Sequence, residues 1–298
     1  MYFLIVIIAK KDILKEPLKN RILILGASGF IGRSIYLELQ SYFDVYGTYS
    51  TNDEEYAKNH AYFKYCLEED NLNNILQKVK PVIIISTLRG DYELQLEAHR
   101  QLCDYVNENH YARIVYLSSV NVFDGKFKLP SYENDKPLAE SDYGKFKISI
   151  ERMLLKKIPA QTVILRLPIV LGIHSPRILQ LRQAIKHKAA FEVYPNLSIS
   201  ITTADKVAQQ IHYIISKELD GIYHLASNDM VHHEDLFREI TSKMGDKTPI
   251  FKSVFRRNED EYLAILPKKK QLPKNYRTSV AEVVEDSTLS EEIITFKN

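Results

Sequence analysis

Tyr143 and Lys147 stand four residues apart, the spacing that puts two side chains on one face of a helix. A free phenol titrates near 10 and donates its proton reluctantly at neutral pH. A lysine one turn away stabilises the phenolate and so lowers that value. A drop of about three units corresponds to ~4 kcal/mol of differential stabilisation. Such a pair can hand a proton to a carbonyl oxygen. The spacing alone is a weak signal, because Tyr132/Lys136 and Tyr213/Lys217 repeat it. Tyr132/Lys136 encloses Glu-Asn-Asp and is followed by Pro137, which marks a loop. Tyr213/Lys217 lies far from the first strand ends and reads as a packed tyrosine beside a surface lysine. Tyr143/Lys147 opens a helix behind a buried apolar run, with Glu140-Ser141-Asp142 as its N-terminal cap.

A second constellation is Gly26-Ala27-Ser28-Gly29-Phe30-Ile31-Gly32. It follows a short apolar run and opens a helix, the context in which a glycine motif cradles phosphates. Gly26 permits a tight strand exit, Gly29 lets the backbone approach a pyrophosphate, and Gly32 lets the helix pack close to the sheet. The helix N-terminus adds free N–H groups and partial positive charge. The chain has only 10 glycines, so three at this spacing point to a dinucleotide. No Gly-Lys-Ser/Thr closes the run, which excludes a P-loop.

These residues need a scaffold, and the chain spells one out. Residues 21–25 (RILIL), 44–49 (DVYGTY), 82–85 (VIII), 113–118 (RIVYLS) and 163–167 (VILRL) read as buried strands. Helical spacing marks 30–42, 92–108 and 141–156 between them. Alternation of this kind predicts right-handed βαβ units, an α/β fold with a doubly wound parallel sheet of Rossmann type. Residues 20–170 form the dinucleotide-binding domain, to which 203–227, a helix and a strand (GIYHLA), return. Residues 171–202 and 228–298 make a smaller C-terminal α/β substrate region. It includes helices at 175–188 and from Val231, and a basic loop, Lys268-Lys269-Lys270, read as solvated surface.

Composition narrows the partners. The 298 residues are 45% hydrophobic, ample for a large core. A net charge of +2 gives no reason to expect nucleic acid or a membrane surface as partner. Cys66 and Cys103 form no CxxC pair, so neither a thiolate zinc site nor a disulfide framework is expected, and a reducing, cytoplasmic setting fits. The adjacent His232-His233 project in different directions and are not expected to hold a metal. Residues 1–19 are an N-terminal extension to which the sequence gives no role. Its apolar start is too short to span a bilayer and lacks the charge order of a secretory signal.

The first gap of the glycine turn has two residues, and GASGFIG resembles the cofactor turn of the extended short-chain dehydrogenase/reductases, which act mostly on nucleotide sugars. Residues 117–125 (LSSVNVFDG) are similar to that family's serine or threonine segment, most of all in the dTDP-4-dehydrorhamnose reductase-like proteins. The resemblance implies Ser119 as a catalytic hydroxyl beside Tyr143 and Lys147. It implies that Ser86-Thr87-Leu88 contacts the nicotinamide ribose, and that 166–172 (RLPIVLG) passes beside the nicotinamide. Gln95 departs from the asparagine usual in relatives, and Ser119-Val120 replaces their threonine-aspartate. After the second strand, Thr48-Tyr49-Ser50 carries no ribose-binding acid; the nearest, Asp53, comes late. These hydroxyls would tolerate a 2′-phosphate, which favours NADP over NAD, although no arginine follows to confirm it.

The expected activity is therefore NADPH- or NADH-dependent reduction of a keto group on a nucleotide-linked sugar. Tyr143 donates the proton, Ser119 binds the carbonyl oxygen, and Lys147 tunes Tyr143 and holds the ribose. Two rivals stay open: an NAD-recycling nucleotide-sugar epimerase or dehydratase, and a catalytically silent dinucleotide-binding regulatory subunit. Oligomeric state is not legible, a homodimer being compatible with the sequence.

Overall fold

The computed structural model describes residues 20–51, 53–245 and 247–289; the extension at 1–19 lies outside them. The elements of the first half are β1 (Arg21–Leu25), α1 (Phe30–Leu39), β2 (Asp44–Tyr49), α2 (Asp53–Tyr56), β3 (Tyr62–Lys64), α3 (Leu72–Val79), β4 (Ile83–Ser86), α4 (Tyr92–Glu108), β5 (Arg113–Ser119), α5 (Asp142–Lys157) and β6 (Thr162–Leu167). The second half adds β7 (Ile169–Leu171), α6 (Pro176–His187), β8 (Ala190–Val193), β9 (Leu197–Ile199), β10 (Ile201–Thr203), α7 (Ala204–Ser216), β11 (Gly221–His224), β12 (Val231–His232), α8 (His233–Met244), β13 (Ile250–Ser253), β14 (Glu261–Leu263) and α9 (Val280–Thr288).

Seven of these strands form one wholly parallel sheet in the order β3-β2-β1-β4-β5-β6-β11. The doubly wound expectation holds, and its cause is visible in the side chains. Ile22 and Ile24 of β1 pack with Ile35 and Leu39 of α1 and with Val207, Ile211 and Ile214 of α7. Leu23 and Leu25 face the other way, onto Leu72 and Leu76 of α3, Leu102 and Val106 of α4 and Ile150 and Leu154 of α5. A strand covered on both faces must be apolar along its buried length, and Ile22 to Leu25 are, while Arg21 at the strand's start stays partly exposed and pairs with Asp44.

The remaining elements enclose a third core of Ile178, Leu181, Phe191, Val193, Ile199, Leu236, Phe237, Ile240, Val283 and Val284. Three short ladders serve it: β7 with β10, β9 with β12 and β14, and β8 with β13. Helical spacing marks α6 and α8 in the sequence, but nothing there marks these strands. Strands of two to four residues are too short for alternation to declare itself. No helix among the described residues is long and apolar enough to cross a membrane.

Candidate active site at the strand C-termini

The C-terminal ends of β1, β4, β5 and β6 open into a cleft of about 240 Å³. Gly29, Phe30, Ile31 and Gly32 line it on one side, Ser118, Ser119, Tyr143 and Lys147 on another, with Thr87, Leu88 and Arg89 between. Leu167, Pro168, Val170 and Pro176 complete the wall, so part of the 166–172 segment does border the cleft. This is the crevice at which open α/β sheets take ligands.

The glycine turn is held by its neighbours. Gly26 N donates to Thr48 Oγ1 at 2.8 Å, Ser28 N to the Thr48 carbonyl at 3.3 Å, and Thr87 Oγ1 to the Leu25 carbonyl at 2.8 Å. A Cβ on Gly32 would stand 2.2 Å from the Gly26 carbonyl oxygen, so α1 can approach β1 this closely only with glycine there. Gly29 is the N-cap of α1, with no side-chain cap and no acid in the first turn. The first N–H groups of the helix are thus left for an outside acceptor, which is what a pyrophosphate supplies.

Not every expected ligand residue faces that crevice. Ser86 is buried, and its hydroxyl lies 2.9 Å from His99 Nε2. His99 Nδ1 is 2.6 Å from the Gln95 carbonyl, so Nδ1 carries the proton and Nε2 accepts from Ser86. Burial pulls His99 down to about 4 and keeps it neutral. Thr48 is likewise buried and committed to the turn, and Tyr49 is buried in a stack on Tyr56 with centroids 5.4 Å apart; Ser50 alone of the three is exposed. The expectation of ligand hydroxyls from Ser86 and Thr48 is thereby corrected: strand-end hydroxyls here tie the scaffold. Two charges missed in the sequence stand at that end instead. Arg33, one residue past Gly32, lies 4.0 Å from Glu55 of α2, and both are exposed. No arginine closely follows β2 in the sequence, and the fold delivers one from α1.

Ser119 ends β5. Its hydroxyl donates to Asn121 Oδ1 at 3.0 Å and accepts from Asn121 N at 3.2 Å, capping a short 3₁₀ turn at Val120–Phe123. Tyr143 sits in the first turn of α5, whose cap is Ser141, with Ser141 Oγ accepting from Gly144 N at 3.0 Å. Tyr143 remains 38% exposed, as a side chain open to a cleft must. Burial raises its phenol above the usual value, opposed by a hydrogen bond with Ser119 and by the Arg89 guanidinium.

Lys147 is buried one turn on. Its Nζ donates to the Leu117 carbonyl at 3.0 Å and lies 5.7 Å from the Tyr143 ring centre. Burial pulls it down to about 8 against the attraction of Glu151, and Arg89 lowers it further. Below it, Ser118 Oγ donates to Glu151 Oε1 at 2.6 Å, and Arg166 grips both Glu151 oxygens at 3.0 and 2.7 Å. Arg166 is thus a buried support of α5 and does not face the cleft.

The rival tyrosine pairs fall away. Tyr132 lies in the loop between β5 and α5, and Tyr213 packs on Tyr276 with centroids 4.5 Å apart while Lys217 is exposed. That loop is clasped from the C-terminal region. Lys268 N and Lys269 N donate to the Glu133 carboxylate at 2.9 and 3.3 Å, and Ser131 N donates to the Ala264 carbonyl at 2.9 Å. Burial pushes the Glu133 carboxyl up, but these N–H groups prevail and hold it below its usual value. The basic loop, read as solvated surface, binds an internal carboxylate through its backbone. No group of His, Cys, Asp and Glu among the described residues is placed to hold a metal.

The profile of the RmlD substrate binding domain family matches residues 20–286. A hypothetical dTDP-4-dehydrorhamnose reductase from Sulfolobus tokodaii superposes with a TM-score of 0.73 at 21% identity, covering 87% of this chain and 97% of that one. A dTDP-4-dehydrorhamnose reductase from Bacillus anthracis, solved in complex with NADP, gives 0.69 at 18% identity over 90% of this chain and 98% of that one. At these identities the likeness is one of fold. Methionine adenosyltransferase 2 subunit beta of Danio rerio is 30% identical over 165 residues, 51% of this chain. The match spans about half, 49%, of that relative.

Proposed function

The chain belongs to the RmlD substrate binding domain family, and from that premise we propose that it reduces a keto group on a nucleotide-linked sugar at the expense of NADPH or NADH. The observation that carries this reading is that Ser119, Tyr143 and Lys147 line the same cleft as the glycine turn. The uncapped N-terminus of α1 takes the pyrophosphate, and Thr87 and Leu88 flank the nicotinamide ribose. When bound, the nicotinamide supplies the hydride. Ser119 donates a hydrogen bond to the substrate carbonyl oxygen, and Tyr143 delivers the proton that the oxygen gains as the carbonyl becomes an alcohol. Lys147 Nζ, reachable from the same cleft, takes a ribose hydroxyl. The region at residues 171–202 and 228–298 closes over the sugar nucleotide. NADP in the Bacillus anthracis reductase and the exposed Arg33 beside the β2 end both favour the phosphorylated cofactor.

The test is oxidation of NADPH and NADH across a panel of 4-keto nucleotide sugars. Tyr143→Phe is expected to abolish turnover while cofactor still binds; a variant with wild-type rate overturns the assignment.

The Danio rerio relative, named as a subunit, favours a second reading, a dinucleotide-binding partner of another enzyme. Cofactor binding without carbonyl-dependent oxidation by the wild-type chain supports it.

A further inference from the structure

We propose that one buried water bridges His224 Nε2 and Gln210 Oε1, and so fastens the segment 264–277, whose backbone clasps Glu133, to the edge of the main sheet.

That edge is β11, the last strand in the order. Segment 264–277 reaches both β11 and α7. His224, at the end of β11, meets the Leu266 carbonyl, and Gln210 Nε2 of α7 donates to the Tyr276 carbonyl at 2.7 Å. Leu272 packs into the sheet core with Tyr223. Beneath the segment lies a cavity of about 10 Å³, lined among others by Gln210, His224, Asn228, Lys270 and Arg277. One water needs about 10–15 Å³.

Two atoms point to the occupant. His224 and Gln210 are each 3% exposed. His224 Nδ1 lies 3.3 Å from the Leu266 carbonyl oxygen, so Nδ1 carries the proton and Nε2 offers a lone pair. Burial and the Arg166 guanidinium keep the ring neutral against the attraction of Glu133. The amide nitrogen of Gln210 is spent on Tyr276, so Oε1 is likewise an acceptor. Neither Nε2 nor Oε1 has a hydrogen-bond partner among the described residues. A buried acceptor without a donor costs more than an ordinary hydrogen bond contributes.

Two acceptors call for a ligand that donates twice. An anion has no proton to give, and a metal or ammonium cation would meet Lys270 and Arg277 at the same wall. Water gives one hydrogen to each acceptor and keeps its lone pairs for the Arg277 guanidinium, whose Nε is spent on the Leu272 carbonyl at 2.7 Å. The bridge and the clasp lie on one short stretch of chain. Leu266, held by His224, donates its own N–H to the Ser131 carbonyl at 3.0 Å, and Lys268 and Lys269 follow with their bonds to Glu133. The water therefore helps to fasten the loop between Ser119 and Tyr143 as well as the sheet edge.

A crystal structure of the full wild-type chain, at a resolution that shows ordered water, tests the site. One density peak is expected within about 3.2 Å of both His224 Nε2 and Gln210 Oε1. A cavity without density, or an Arg277 nitrogen in the place of the water, overturns the proposal. Amide hydrogen exchange tests the fastening. Gln210→Met and His224→Phe are each expected to speed exchange at the Lys268 and Lys269 N–H groups about thirtyfold, with the amides of β1 unchanged. Each variant also loses its own direct bond, to Tyr276 or to Leu266, and those losses multiply. The shared water is lost only once, so the double variant should reach about a hundredfold rather than the roughly thousandfold product. A double variant that matches the product overturns the bridge, and unchanged exchange at Lys268 and Lys269 in both single variants overturns the fastening. The wild-type density decides even where a variant does not fold, and no reading needs cofactor or substrate.

Discussion

Arg166 holds both carboxylate oxygens of Glu151 in a pair whose side chains are 2% and 4% exposed. Glu151 also takes the Ser118 hydroxyl, so one carboxylate joins the ends of β5 and β6 to α5. Glu151→Ala leaves a guanidinium buried with, among the described residues, the Glu133 carbonyl at 3.3 Å as its one hydrogen-bond acceptor and the Phe123 ring beside it. The expected loss is about 3–5 kcal/mol, seen as a lower urea midpoint. Replacing both partners, Glu151→Leu with Arg166→Met, is expected to recover much of it.

Lys147 gives a pH signature. Its folded-state value is depressed from 10.5 to about 8 by burial. Below pH 8 both states carry the proton and the folded state bears the full cost. Between about 8 and 10.5 the unfolded chain binds more protons, so this group makes stability rise with pH. Lys147→Met is expected to be more stable than wild type at pH 7, by about 1–2 kcal/mol after loss of the bond to Leu117. The gap should close as pH approaches 10. Urea unfolding at several pH values checks this; a gap independent of pH contradicts it.

Gly144 meets the 3₁₀ turn edge-on: a Cβ there would lie 2.2 Å from the Asn121 carbonyl oxygen and 2.7 Å from Ala139 Cβ. Gly144→Ala must push α5 away from the turn that Ser119 caps. A stability cost of about 1–3 kcal/mol is expected. Since Tyr143 is adjacent and must reach the Ser119 side, kcat should fall more than KM changes. Steady-state kinetics with a substrate from the keto-sugar panel decides.

Arg33 and Glu55 offer a test of the proposed cofactor preference. Arg33→Ala is expected to raise KM for NADPH about tenfold and leave NADH nearly unchanged, because only the former presents a 2′-phosphate. Glu55→Gln, which removes a like charge, should move the preference toward NADPH. Equal effects on both cofactors would remove Arg33 from this role.

The sequence shows the sheet clearly because each central strand is short, apolar on both faces and bounded by turn residues. β1 and its glycine turn illustrate this. It also shows which Tyr-x-x-x-Lys pair stands at a strand end, because Pro137 and the Ser141 cap frame α5. Illegible were the hydroxyls of Ser86 and Thr48, whose identity says nothing about which way they bond. Arg33 and Glu133 were equally hidden. Each acts across a long chain separation, and a charged residue in a loop looks the same whether it meets water, a ligand or a distant backbone. The small ladders around β9 were silent because pairing, not pattern, defines them.

The clasp on Glu133 has a consequence for the order in which the molecule can be made. The glycine turn and its strands β1, β2 and β4 are complete once about the first ninety residues exist. The loop between Ser119 and Tyr143 has to wait for Lys268 and Lys269, more than 130 positions later. During synthesis, the residues of the glycine turn are therefore all present long before those that fasten the loop between Ser119 and Tyr143.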